Sequence, residues 1–174
     1  YANGEEFMSK FEEICAAYKV SQDKFHDYRN RSMDFALSLG HKYIQYLGIT
    51  RENFRWVPVQ DNSTEEEGFT IQGAMHLDDD TYWHLGLKIN VFTAPNAFPQ
   101  QRLLIIFKFK QKEKDKFEVM VDGYDKKHII AVDGDASYTV FFNHLQKIIM
   151  SLYEDDLDNF LASQQENRTI GFIQ

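Results

Sequence analysis

Two histidines, His76 and His84, flank the acidic triplet Asp78-Asp79-Asp80. Imidazole nitrogens with a carboxylate form a ligand set that zinc takes. Both histidines lie on the parity opposite Met75 and Trp83. A hairpin through this segment would therefore bring them to one face, directly opposite or diagonal, with an aspartate of the turn beside them. No third ligand is singled out, and solvent-facing histidines are the plainer reading. A metal-dependent hydrolase or nuclease needs an acid two residues before a lysine on a strand, next to further acids. Glu113 and Asp115 fail, because the residues two places on are Asp115 and Phe117. Asp125 and Lys127 have the spacing, with Asp122 near, but fall in a turn. Cys15 is the sole cysteine and sits on the apolar side of a helical pattern, which excludes an internal disulfide and a cysteine-rich zinc site. The glycines are scattered and form no phosphate cradle, so no cofactor is implied. His26, His41, His128 and His144 show no partner spacing and read as surface or rim residues.

The segment Ile129-Ile130-Ala131-Val132-Asp133-Gly134-Asp135-Ala136-Ser137 resembles the first motif of haloacid-dehalogenase phosphatases, an apolar strand ending in two aspartates one residue apart. The resemblance would make Asp133 the nucleophile and Asp135 the general acid. That fold needs several further strand–helix units, and fewer than forty residues follow. A strand turning into a helix cap accounts for the same residues.

The elements that must position these groups follow from periodicity. Phe7, Met8, Phe11, Ile14, Cys15 and Tyr18 predict a helix over about Glu5–Lys19. A second is expected from a Ser21 cap through Phe25, Tyr28, Phe35, Leu39 and Tyr43 to Gly48, with a kink or break near Ser32. Alternation then takes over. Phe54 and Trp56 begin a short strand ended by Pro58. Phe69–Leu77 and Tyr82–Phe92 form a hairpin with an odd-length loop, Arg102–Gln111 and Lys116–Asp122 a second, and His128–Val132 a last strand. In that second hairpin Glu118 faces Lys108 or Lys110. Asp135 or Ser137 caps a long helix along Tyr138, Phe141, Phe142, Leu145 and Ile149. The expected fold is thus a single α+β domain: residues 1–48 helical, 54–132 a five- to six-stranded antiparallel meander, 135–162 helical and packed on the sheet, and 163–174 a tail.

A net charge of −8 opposes sequence-independent nucleic-acid binding. No apolar run approaches membrane-spanning length, and a reducing, cytoplasmic setting is the simplest inference from the lone thiol. The chain begins at Tyr1, which leaves its natural start open. Leu104, Ile106 and Met120 share the parity that should face solvent, together with Tyr82, Lys88 and Lys108, so the outer sheet face calls for a cover. The expected function is a non-catalytic binding domain that takes a protein partner through this face or a sheet edge. The element order also resembles the helix-grip arrangement of START and plant-allergen-like proteins. That resemblance implies a small apolar ligand in a cavity between sheet and terminal helix, here lined by Trp83, Phe107, Phe109 and Phe142. No residue motif accompanies it.

Overall fold

The first helix starts at a capping box, in which the Glu12 N–H donates to Ser9 Oγ at 3.1 Å and the Ser9 N–H donates to the Glu12 carboxylate at 2.6 Å. This computed structural model describes residues 8–59, 68–94, 97, 101–155, 158, 172 and 173. From the cap, α1 runs unbroken through Lys10–Leu47, 38 residues, and stops at Gly48, whose φ of 64° suits a residue without a side chain. The two helices expected here are therefore one. No Gly or Pro separates them before Gly40, and an interior serine costs only about 0.5 kcal/mol relative to alanine. The three–four spacing also continues across the joint at positions 11, 14, 18, 21, 25, 28, 32, 35 and 39. Ser32 is buried within this continuous helix and breaks nothing.

The sheet is antiparallel. Strands β1 (Phe54–Val57), β3 (Trp83–Val91), β4 (Gln101–Glu113), β5 (Lys116–Val121) and β6 (His128–Ala131) lie side by side in that order. A two-residue strand, β2 (His76–Leu77), extends the β1 edge of β3, and another, β7 (Phe172–Ile173), lies against Arg102 and Leu103 of β4. The expected meander is present, with one segment misassigned. Residues Ile71–Ala74 form a short helix, α2, capped by the Thr70 hydroxyl, which accepts from the Gly73 N–H at 3.0 Å. Phe69 makes only an isolated bridge to Trp56. Buried Ile71, Ala74 and Met75 are spaced three and four apart, so a helical turn hides them better than alternation would. Residues 60–67, which include Asp61, Glu65, Glu66 and Glu67, and most of the tail lie outside the described residues.

The last helix, α3 (Asp135–Glu154), has Gly134 at its N-cap position rather than Asp135 or Ser137. Ser137 Oγ instead ties the turn, accepting from the Ala131 N–H at 3.1 Å and donating to the Gly134 carbonyl at 2.8 Å. Asp135, one of the pair in the phosphatase-like segment, is exposed and pairs with Lys42 of α1 at 2.6 Å.

One face of the sheet packs on both long helices through aromatic rings. Phe35 stacks on Phe117 with centroids 4.1 Å apart and also meets Phe109 and Tyr138. Tyr43 contacts Phe107 and Phe142. Two histidines join the edge of this core. His128 of β6 is buried, not on the rim, and its ring lies 4.9 Å from that of His144 on α3. Burial lowers the pKa of His128 below 6.5, with His144 and Lys126 adding to it; burial, then Lys126 and Lys147, lower that of His144. The unfolded chain therefore binds protons that the folded one refuses. This stabilisation is complete above about pH 6.5 and is lost as pH falls below it. The melting temperature should stay level down to about pH 6.5, the ordinary imidazole value, and fall as the pH is lowered from there. The drop should be smaller in His128→Phe, and an equal drop in both proteins would contradict this assignment.

Candidate functional site

The outer-face residues singled out by parity do share one face. Register places Gly86 opposite Ile106, Lys88 opposite Leu104, and Lys108 opposite Met120. Leu104 and Ile106 are half-buried and Met120 is buried, yet none belongs to the core cluster on the helix side. Toward the β2–β3 end this face turns polar. Glu118 stands opposite Lys110, the second of the two expected registers, and accepts a short hydrogen bond from the Tyr82 hydroxyl. That bond, then burial, raises the Tyr82 hydroxyl to about 12. Lys108 and Lys110 lie over the Tyr82 ring at 5.5 and 5.7 Å.

The hairpin loop adjoins this patch. His76 pairs directly with His84 across β2 and β3, with ring centroids 5.4 Å apart. The loop between the strands closes with the Asp78 N–H donating to the Tyr82 carbonyl at 3.1 Å, and Thr81 adopts φ 71° within it. Asp80 Oδ1 accepts from the Tyr82 N–H at 2.9 Å, while Oδ2 meets His84 Nε2 at 2.9 Å and Lys108 Nζ at 2.8 Å. Burial opposes ionisation of Asp80, but Lys108, the Tyr82 N–H and His84 outweigh it and hold the carboxyl at about 2. Asp78 is the third potential ligand that the sequence left unnamed. Ligand atoms of His76, Asp78 and His84 all lie within 4.8 Å of one another, the one such trio among the described residues. His76 Nε2 is shut from water with no hydrogen-bond partner, an omission that typically costs about 1–3 kcal/mol.

The four helix-grip positions, Trp83, Phe107, Phe109 and Phe142, are all buried, and they pack on rings of α1: Tyr28, Phe35 and Tyr43. An apolar cleft of about 510 Å³ lies farther along the sheet–helix interface, lined by Leu47, Ile49, Val91, Leu103, Ile149 and Met150 among others.

The feature that sequence patterning misplaced is the first half of α1. Arg31 bonds Gln111 at 3.3 Å and Tyr28 lies 6.2 Å from Trp83; N-terminal to these, α1 leaves the sheet. Phe11 is 72% exposed, Ile14 and Tyr18 65%, and Phe25 47%. Cys15, expected on a core face, is exposed beside them for the same reason. No family model, curated protein or solved structure matches the chain. Among the described residues no helix is long and apolar enough to cross a membrane.

Proposed function

We propose that this chain is a non-catalytic protein-interaction domain whose docking element is the projecting half of α1, and that the helix it takes is the same segment of a second copy. The carrying observation is the exposed apolar stripe Phe11, Ile14, Tyr18 and Phe25. Its spacing continues the stripe that Ser32, Phe35 and Leu39 bury against the sheet. Apolar side chains repeating at three and four are what two helices need to pack along a shared seam. The projecting segment from Lys10 to Asp27 is about 27 Å long at 1.5 Å per residue, long enough for more than two heptads.

Charge favours a like partner. Residues 10–27 carry three lysines against four acids, near neutrality in a chain of net charge −8. Cys15, Ala17 and Gln22 flank the stripe, so uncharged residues line most of the seam. Burying a side chain of this class is worth roughly 1.5–3 kcal/mol. The eight partly exposed side chains of a pair contribute an amount of the same order as the cost of association, roughly 4–15 kcal/mol, so the expected pairing is weak, micromolar or looser. Sedimentation velocity over a micromolar dilution series should show a reversible monomer–dimer equilibrium. A monomer at every concentration would remove the reading, and a larger open-ended assembly would remove the paired seam.

The apolar cleft supports a second reading, a small-molecule binder. Its volume falls within the range of roughly 300–1,000 Å³ usual for ligand pockets. Under this reading an apolar fluorophore such as anilinonaphthalene sulfonate binds stoichiometrically, and Ile149→Trp abolishes binding without unfolding the protein. Non-saturable fluorescence that the substitution leaves unchanged would count against it.

A further inference from the structure

We propose that His76, Asp78 and His84 form a zinc site at the mouth of the β2–β3 hairpin. The fold presents the three groups together without rearranging the backbone. Antiparallel pairing sets the two imidazoles opposite each other on one face, where side chains of facing residues are in contact range. The loop supplies the carboxylate. Asp78 Oδ1 accepts from the Asp79 N–H at 2.8 Å, which orients the group and leaves Oδ2 facing His84 Nε2 at 3.9 Å. Two ligands held tetrahedrally at the usual zinc distances stand about 3.4 Å apart, so this pair is already near its bound separation.

His76 supplies an independent observation. Its Nε2 is buried without a hydrogen-bond partner, and an imidazole nitrogen of the same ring lies within 4.8 Å of ligand atoms of Asp78 and His84. A coordinated cation satisfies that nitrogen as no neighbouring side chain does. His84 is buried, and its Nε2, the nitrogen that faces Asp78, is held by the Asp80 carboxylate at 2.9 Å. On metal binding the ion takes the place of any proton on that nitrogen, which is released to solvent, and Asp80 becomes a fourth ligand or keeps only its pairing with Lys108. Lys108 is held on Asp80 at 2.8 Å, so its charge is already paired. Two imidazoles and one carboxylate favour zinc over magnesium or calcium, which prefer oxygen donors.

The test uses tag-free full-length protein, stripped with a chelator and dialysed against micromolar zinc, with metal per chain measured by mass spectrometry. About one zinc per chain is expected, along with a rise in melting temperature. Cobalt in place of zinc should give the visible absorption of a nitrogen- and oxygen-ligated ion. His76→Gln and Asp78→Asn should each weaken zinc binding by at least about tenfold, on the scale that loss of even an outer partner produces. Asp79→Asn should leave binding unchanged. Asp78 lies on a partly exposed loop, so its amide variant, checked for native circular dichroism, decides the matter if His76→Gln unfolds. Absence of zinc from the wild type overturns the proposal. So does zinc binding that Asp78→Asn leaves unaltered, or displacement of zinc by millimolar magnesium.

Discussion

Phe35→Ala is expected to lower the unfolding free energy by about 3–5 kcal/mol, the range for deleting a buried aromatic ring from a core that cannot close around the gap. Phe35 lies where α1, β4, β5 and α3 converge. It is fully buried, stacks face to face on Phe117 at 4.1 Å, and contacts Phe109 and Tyr138. Its neighbours project from different elements, so no single one can move to fill the space. A domain stabilised by about 5–15 kcal/mol in all would be left marginal. The urea midpoint should fall steeply with the slope unchanged, because the surface exposed on unfolding stays the same. Phe25→Ala, ten residues earlier on the same helix and half-exposed, serves as the control and should move the midpoint little at concentrations where the chain is monomeric. Equal losses from both variants would contradict the assignment of one half of α1 to the core and the other to an interface.

The converse is expected at Ile14. Ile14→Glu should weaken self-association by about 100-fold or more while leaving monomer stability near that of the wild type. Each dimer loses two isoleucines from its seam, about 1.5–3 kcal/mol apiece, and gains two carboxylates that must be desolvated or splay the helices. Val20→Glu supplies the comparison. Val20 is 52% exposed, about as open as Ile14, but lies on the opposite side of the helix from the Phe11–Tyr18 stripe. Analytical ultracentrifugation should find association intact in Val20→Glu and lost in Ile14→Glu. Loss in both would mean that general hydrophobicity, not a seam, drives assembly.

Why one stretch of an amphipathic helix ends inside and the other outside was not legible in the residues. Phe11, Ile14 and Tyr18 repeat with the same period as Phe35, Leu39 and Tyr43. Periodicity reports that a face needs cover, not which surface supplies it. At 38 residues α1 is about 57 Å long, well beyond the strands beneath it. The extent of the sheet, a tertiary property, therefore decides where burial ends, and Cys15 was misplaced on that account. The strands were easier. Trp83 to Val91 and Leu103 to Phe109 alternate cleanly because one face of each is packed on helices, and the register sets Lys88 opposite Leu104 and Lys108 opposite Met120 on the other. The segment at Ile71, Ala74 and Met75 was ambiguous, since so short a set fits a helical turn as well as a strand, and the Thr70 cap settled it. His76 and His84 could be paired in advance because a parity rule fixes a hairpin's faces. Asp78 could not be chosen among three adjacent aspartates until the loop geometry was known. The contact of His128 with His144 joins a strand to a helix and leaves no trace in local spacing.

The most direct test of the interaction seam is amide hydrogen exchange resolved along α1 at two protein concentrations. The projecting segment Lys10–Asp27 is exposed along its length, without the tertiary cover that supplies most helical stability, so its amides should exchange faster in the monomer than those of the packed half. The account predicts strong protection of this segment at high concentration that disappears on dilution, while Ser32–Tyr43 stays protected throughout. Exchange over Lys10–Asp27 that is equally fast at both concentrations would contradict it.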